Sequence, residues 1–175
     1  MKSNHSTNRE KGFAMLFAVL TSSVLLSIGL SIFNLTIKEL ALSSSGRESQ
    51  AAFYAADSGV ECALYGDIKG SYFATSSDSA STPSFQCAGQ TIVVSEARTS
   101  SAATTTFSFA PVEATATLLN GPCVLVTVAK HNVSGQDYTD IISRGYNVGY
   151  AANGTSNECV ADDSLKVERA LRINY

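Results

Sequence analysis

The stretch EKGFAMLFAVLTSSVLLSIGLSIF, residues 10–33, decides the fold, because it joins two charged residues and a glycine to a long apolar segment. The 21 residues from Phe13 to Phe33 contain no charge, and as a helix they span roughly 30 Å, the thickness of the hydrocarbon core of a bilayer. The apolar region of a secretory signal is usually shorter, about 7–15 residues. The segment therefore predicts a retained membrane helix.

Charge is unevenly distributed along the 175 residues, whose net charge is -3. Residues 1–12 carry three basic side chains and one acidic side chain, a net +2, which leaves -5 for residues 13–175. Basic residues before an apolar helix place its amino terminus in the cytoplasm. The acidic remainder argues against a broad phosphate-binding surface.

A line of small polar residues follows one side of the apolar helix: Ser23, Ser27, Ser31 and Asn34, at spacings of four, four and three. Small residues at every fourth position let helices approach closely in lipid. Alternatively, each hydroxyl bonds to the carbonyl four residues earlier in its own helix. The sequence leaves both interpretations open.

The predicted helix continues beyond the apolar segment, since no proline occurs before Pro83 and helix-compatible residues extend to about Tyr65. Its length would be about 53 residues, or roughly 80 Å. The weak point is SSSG, residues 43–46, where low helix propensity could bend or interrupt it.

The outer half of this helix carries two stripes on nearly opposite sides. One stripe comprises Phe53, Ala56, Val60, Ala63 and Leu64, and the other comprises Ala51, Ala55, Ser58, Cys62 and Tyr65. Two stripes predict burial both against the chain's own globular part and against other subunits, the alternative being one larger core. A disulfide from Cys62 to Cys87 would turn the Cys62 stripe towards the globular part and leave the Phe53 stripe for partners.

After Gly66 the pattern changes to short β-type runs bounded by turn residues. The predicted strands cover residues 90–97, 105–119, 123–130, 138–150 and 164–175, and the predicted loops cover 70–84, 134–138 and 151–164. Pro111 is expected at an edge, a bulge or a break between strands. The last run alternates apolar and polar residues. Arg169 is an exception on its apolar face, which predicts either a pair with a buried carboxylate or, more commonly, a position at the edge of the sheet. The predicted fold is α+β, a long helix packed on an antiparallel sheet of about four to six strands.

Four cysteines, Cys62, Cys87, Cys123 and Cys159, are well spaced, and no CxxC pair exists. Because both histidines also lie alone, the pattern argues against a zinc site, and no cofactor is predicted. Two disulfides in an oxidising compartment fit this spacing, the alternative being four buried thiols. The shortest loops pair Cys62 with Cys87 and Cys123 with Cys159, although loop length favours this pairing only slightly.

The leader ending REKG, the Gly12–Phe13 junction and the uncharged helix after it resemble type IV pilins and the pseudopilins of type II secretion. The stretch SQAAFYAADSGVECAL, residues 49–64, resembles the helix motif of minor pilins that assist pilus assembly. The resemblance covers the first 65 residues well and the sheet only in outline. It implies cleavage after Gly12 by a prepilin peptidase and methylation of Phe13.

This resemblance implies four regions: a leader at 1–12, the transmembrane half of the helix at 13–35, its extracytoplasmic half at 36–66, and a globular β domain at 67–175. It implies a single-pass protein of the cytoplasmic (inner) membrane that later enters an extracellular filament. The expected partners are membrane lipid, other pilin subunits, and the assembly platform with its ATPase. The residues expected to pack in the filament are Ser23, Ser27, Ser31, Phe53, Val60 and Leu64.

Phe17 departs from the family, most members of which carry a glutamate at the fifth mature position. In the family that carboxylate is thought to pair with the amino-terminal ammonium of a neighbour, since a lone carboxylate in lipid is costly. The pseudopilins at filament tips also lack it. Phe17 therefore favours a minor, tip or assembly-priming subunit, although a major pilin with apolar registration is compatible with it.

Other functions compete with a filament subunit. A pseudopilin of type II secretion, or an uncleaved membrane-anchored binding or adhesin module, also fits the helix and the β domain. An enzyme is not expected, because His131 is the only histidine after the leader and no motif surrounds any serine. DNA binding, a known role of pilus systems, would depend on a local basic patch formed by Arg144, Lys166, Arg169 and Arg172.

Overall fold

The computed structural model describes residues 8–75, 84–99, 102–111, 121–152, 157–159 and 166–175. The chain divides into two compact units, Met1–Ser45 and Gly46–Tyr175, and the described part of the first begins at Asn8. In the second unit, the end of the helix packs on an antiparallel sheet, which confirms the predicted α+β class. The expected leader lies largely outside the described residues.

The single helix, α1, covers Asn8–Ile68. It passes through the weak SSSG segment without interruption and ends three residues beyond the predicted Tyr65. Its last carbonyls accept hydrogen bonds from the closing turn, in which the backbone N–H of Lys69 donates to the carbonyl of Tyr65 at 3.0 Å. The sequence prediction of one long helix is therefore confirmed.

Nine strands follow within the described residues. They are β1 Ser84–Cys87, β2 Gln90–Val93, β3 Ser95–Arg98, β4 Ala102–Phe109, β5 Cys123–Val133, β6 Gln136–Tyr146, β7 Tyr150–Ala152, β8 Asn157–Cys159 and β9 Glu168–Asn174. The main sheet has five strands in the order β3-β4-β5-β6-β9, every neighbouring pair being antiparallel. Strands β1 and β2 form one separate hairpin, and β7 and β8 form another.

Several strand boundaries differ from the prediction. The run 90–97 is two strands that join different sheets, since β2 pairs with β1 and β3 pairs with β4. Strand β1 falls at the end of the predicted 70–84 loop, and the predicted 151–164 loop begins inside β7 and contains β8. Pro111 follows the end of β4, as expected, and residues 112–120 lie outside the described part.

The predicted loop 134–138 is instead a two-residue turn. Ser134 and Gly135 have φ values of 57° and 87°, and strand β6 resumes at Gln136. Two consecutive positive φ angles are what a type I′ hairpin turn requires, because its twist matches that of the strands it joins. Ala88 and Gly89, with φ of 50° and 73°, join β1 to β2 in the same way.

The helix presents one buried face to the sheet, and this face coincides with neither of the two predicted stripes. This face runs along Ala52, Ala55, Ala56, Gly59, Cys62, Ala63 and Gly66, and Val60 lies at its margin. It lies between the two predicted stripes and takes residues from both. Small side chains dominate it, so the helix backbone can approach the sheet closely.

Two glycines mark the closest approach of helix and sheet. A Cβ atom at Gly145 of β6 would collide with the carbonyl oxygen of Ala52 and the amide nitrogen of Ala56, both in the backbone of α1. A Cβ atom at Gly59 of α1 would collide with the hydroxyl of Ser143 and lie 2.6 Å from a methyl carbon of Val124. Neither position therefore has room for a side chain, whether at Gly59 on the helix or at Gly145 on the sheet.

The core lies between this helix face and the inward side chains of β4, β5 and β6. Alternate residues of β4 are buried, in keeping with a sheet that has one covered face. Aromatic rings fill the wider end, where the centroids of Phe85 and Phe107 lie 5.2 Å apart and those of Phe73 and Phe107 lie 5.9 Å apart. The core therefore changes from backbone contact at Gly145 to ring packing near Phe107.

We expect Gly145→Ala to destabilise the second unit by about 3 kcal/mol, because the added methyl group meets helix backbone that cannot rotate away. Gly46→Ala is the matched control, since an added Cβ there meets nothing within 4 Å. In a helix it should be neutral or stabilise by up to about 1 kcal/mol. Denaturant unfolding of the full chain in micelles measures both, and equal stability of the two variants would contradict the close packing.

Candidate functional site

The apolar half of α1 is exposed along its whole length in this single chain. Among residues 13–42 the large apolar side chains are 50–76% exposed. A helix that is apolar all round needs a membrane or other helices to cover it. In the described part of the chain α1 is the one helix long and apolar enough to cross a membrane.

The predicted processing site and the departing residue lie on this exposed part of α1. Gly12 is helical, and a Cβ atom added to it would meet nothing within 4 Å. Phe13 and Phe17 are 74% and 61% exposed. Phe17 therefore extends the exposed apolar surface of the helix.

The line of serines is exposed on the same helix. The hydroxyl of Ser23 donates to the carbonyl oxygen of Leu20 at 2.8 Å, and the hydroxyls of its neighbours Thr21 and Ser22 bond in the same manner. For Ser23 this is hydrogen bonding within its own helix, three residues back instead of the expected four. A hydroxyl satisfied in this way leaves the residue small, so close helix contact in lipid stays compatible with it. Ser27 and Ser31 are exposed along the same line.

The three outer residues expected to pack against other subunits have different environments. Val60 is 5% exposed and belongs to the chain's own core, whereas Leu64 is half-buried at the core margin. Phe53 is 46% exposed and stacks edge-on against Tyr54, with ring centroids 6.1 Å apart. Of the three, Phe53 is the side chain most accessible to a neighbouring molecule.

The helix face opposite the sheet combines apolar rings with acidic groups. Tyr54, Tyr65 and Ile68 are each at least 60% exposed, and the carboxylates of Asp57 and Glu61 lie among them. Tyr65 was expected on the stripe that faces the globular part, but it is exposed on the opposite side of the helix. The exposed face lies opposite Ala52 and Gly59 because these small residues turn towards the sheet.

Two disulfides join the elements around the core. Cys62 of α1 is bonded to Cys87 of β1, and Cys123 of β5 is bonded to Cys159 of β8. This is the pairing that the shortest loops favoured, and no described cysteine is free. The first bond ties the helix to the β1–β2 hairpin, and the second ties the β7–β8 hairpin to the main sheet.

The four basic residues considered for DNA binding do not form an open cationic surface. Arg144 faces Glu168 at 3.9 Å, and Arg172 contacts Asp140 at 3.1 Å. Lys166 lies 4.2 Å from the ring centroid of Tyr146, and Arg169 donates to the hydroxyl of Ser49 on α1 at 2.9 Å. Arg169 lies on edge strand β9, which confirms the expected edge position.

Sequence reasoning missed a polar clamp at one end of the buried helix face. The side-chain amide of Asn147 donates to Glu48 of α1 at 2.7 Å, and its oxygen accepts from the N–H of Val167 at 2.7 Å. Asn147 is 5% exposed. It thus joins α1, the end of β6 and the segment before β9. Its signal in the sequence is weak, because Glu48 lies 99 residues away.

A second clamp holds the other end of the same face. Asp67, in the last turn of α1, forms an ion pair with Lys130 of β5 and accepts a hydrogen bond from the hydroxyl of Tyr175 at 2.7 Å. Burial, and then the neighbouring Asp67 carboxylate, raises the pKa of Tyr175 well above its ordinary value of 10.0. Glu48 and Asp67 therefore bracket the run of small residues between them.

Among the described residues no group of three or more His, Cys, Asp and Glu side chains is placed to hold a metal ion. No family model, no curated protein and no solved structure matches this chain. Three surfaces of the described chain are accessible to other molecules: the exposed apolar helix, the acidic and aromatic face of its outer half, and the exposed face of the sheet.

Asn147→Ala should lower the free energy of unfolding by about 2 kcal/mol, since it leaves the partly buried N–H of Val167 and the Glu48 carboxylate without this partner. Ser143→Ala is the matched control, because the buried Ser143 hydroxyl has no hydrogen-bond partner within the described residues. That change should be neutral within about 0.5 kcal/mol. A larger loss from Ser143→Ala than from Asn147→Ala, in the same unfolding experiment, would refute the clamp.

Stability should fall as the pH rises above about 10, because the unfolded chain releases the Tyr175 proton there while the raised pKa keeps it bound in the folded state. Below about pH 10, protonated Tyr175 makes its full contribution to the free energy of unfolding. Tyr175→Phe should remove the contribution and make the fall shallower, whereas Tyr65→Phe, at an exposed tyrosine, should leave it unchanged. Unfolding free energies measured at several pH values between about 8 and 11 test this, and identical slopes for all three proteins would contradict it.

Proposed function

We propose that the chain is a structural subunit of a type IV pilus or related filament, processed between Gly12 and Phe13 and assembled through α1. The observation that carries the proposal is the contrast between the two parts of α1. Its apolar part is exposed throughout, whereas its outer part packs on an antiparallel sheet by one small-residue face. Such a helix serves first as a membrane anchor and then as the core of a filament.

Assembly would exchange lipid contacts for helix contacts along the apolar part of α1. Ser23, Ser27 and Ser31 let neighbouring helices approach closely, while the apolar residues between them supply the contact area. Further out, Phe53 and the acidic and aromatic helix face are accessible to a neighbouring subunit. The partners would be a prepilin peptidase, the assembly platform with its ATPase, and other subunits. The subunit itself would carry out no catalysis.

A minor, tip or assembly-priming role is proposed within such a filament. Phe17 supplies no carboxylate for a neighbour's amino-terminal ammonium, so registration would depend on packing of apolar side chains. A subunit at the tip has fewer neighbours to register against. Before assembly, the basic residues that precede the helix would keep its amino terminus in the cytoplasm, and the β domain would lie outside the membrane.

Processing can be tested by mass spectrometry of the amino-terminal peptide after co-expression with a prepilin peptidase. We expect the mature chain to begin at a methylated Phe13, and Gly12→Leu to retain Met1. Gly29→Leu is the matched control, because both glycines have open space around an added Cβ, but only Gly12 lies at the junction. An intact Met1 in the unsubstituted membrane protein would contradict the proposal and favour an uncleaved anchored binding module.

A further inference from the structure

A groove lies at the end of the main sheet that carries the β5–β6 turn, and its polar lining residues Asp140, Arg172 and Asn174 lie on the sheet face opposite α1. Its volume is about 350 Å³. It is lined by His131, Tyr138, Thr139, Asp140, Arg172, Asn174 and Tyr175. None of these residues belongs to the exposed helix surfaces of the proposed filament, so ligand binding in the groove does not depend on filament assembly.

The strand register brings the polar lining together. His131 of β5 lies opposite Tyr138 of β6, and Asp140 lies opposite Asn174 of β9. Arg172 is two residues before Asn174 and shares its face, since side chains of a strand alternate between faces. Ile141, the neighbour of Asp140, is fully buried towards the helix, which places Asp140 on the other face.

One wall of the groove is aromatic. The rings of His131 and Tyr138 lie nearly parallel, at 16°, with centroids 5.6 Å apart. Tyr138 remains 41% exposed, so the pair is accessible from solvent. The face of an aromatic ring attracts the weakly positive C–H groups of a flat apolar surface.

The rest of the lining combines hydrogen-bond donors and acceptors. The guanidinium of Arg172 uses one nitrogen, Nη2, to contact Oδ1 of Asp140 at 3.1 Å, and the Arg172 side chain is 65% exposed. A guanidinium has five N–H donors, a carboxylate accepts at both oxygens, and the amide of Asn174 does both. These groups match a ligand with several neighbouring hydroxyls.

The charges that line the groove indicate whether it suits an anionic, a cationic or a neutral ligand. Arg172 and Asp140 offset one another, so the groove attracts neither a phosphate nor a cation strongly. A neutral ligand with one apolar face and a rim of hydroxyls fits both parts of this lining, and a pyranose sugar has this chemistry. We propose that the groove binds a neutral pyranose unit of a glycan, with its C–H face against Tyr138 and its hydroxyls on Asp140, Arg172 and Asn174.

The test is saturation-transfer NMR on the full chain in phosphatidylcholine nanodiscs, which avoids detergents that carry sugars. The probes are the methyl glycosides of glucose, galactose and mannose at about 10 mM, as a single shallow site is expected to bind with Kd on the order of 1 mM. We expect transfer to at least one of them. No transfer to any of the three would overturn the proposal, and so would displacement of the bound sugar by inorganic phosphate.

Two variants, each with a matched control, test whether the sugar binds in this groove. Tyr138→Ala and Arg172→Ala should each weaken binding about tenfold, which corresponds to about 1.4 kcal/mol. Tyr54→Ala removes an exposed tyrosine of α1, and Arg144→Ala removes the arginine of a similar exposed ion pair outside the groove. Both controls should bind as the unsubstituted protein does, and equal losses in variants and controls would overturn the assignment.

Tyr138→Phe and Asn174→Ala remove fewer atoms, so they test the site even if Tyr138→Ala or Arg172→Ala fails to fold. Tyr138→Phe keeps the ring and should keep most of the affinity, whereas Asn174→Ala removes only an amide at the end of β9 and should reduce it. The amide dispersion of each variant reports its fold in the same samples. Undiminished binding in Asn174→Ala together with Tyr138→Ala would place the sugar elsewhere and refute this groove.

Discussion

The structure of the second unit depends on how closely α1 can approach the sheet. Gly145 lets the sheet reach the backbone of α1, and Gly59 leaves room on the helix for side chains of β5 and β6. The buried alanines of the same helix face keep α1 near the strands along several turns. Dense packing of this kind leaves little tolerance for an added methyl group. It also orients the helix about its axis, because only one face is small enough to lie against β5 and β6.

That orientation decides which side chains remain available to other molecules. Once Ala52 and Gly59 face the sheet, Phe53, Tyr54 and Tyr65 must face away. Polar clamps hold the arrangement at both ends, through Glu48 at one and Asp67 at the other. Buried polar groups that find all their partners specify one arrangement more strongly than apolar contacts do.

The two faces of the main sheet have separate roles. The inner face is apolar and covers the helix, with alternate residues of β4 and β5 buried. The outer face is polar and carries its charges as pairs, such as Arg144 with Glu168 and Arg172 with Asp140. Two of the four basic residues are offset by these ion pairs, while Lys166 lies over the Tyr146 ring and Arg169 bonds Ser49, so the four do not form one phosphate-binding surface. The offset charges of Arg172 and Asp140 also make the groove beside Tyr138 suited to an uncharged ligand.

The sequence by itself determined the long helix, its exposed apolar half, the antiparallel strands after Gly66 and the edge position of Arg169. These follow from local composition and period, which need no knowledge of distant residues. The hairpins at Ala88–Gly89 and Ser134–Gly135 were missed, although each short dipeptide permits a type I′ turn.

Only the tertiary structure decided which helix face is buried, since both predicted stripes contain small and apolar residues and the buried face, centred near Gly59, takes residues from each. It also decided the Glu48–Asn147 clamp and the groove beside Tyr138. These join residues far apart in the chain, and strand register brings them together.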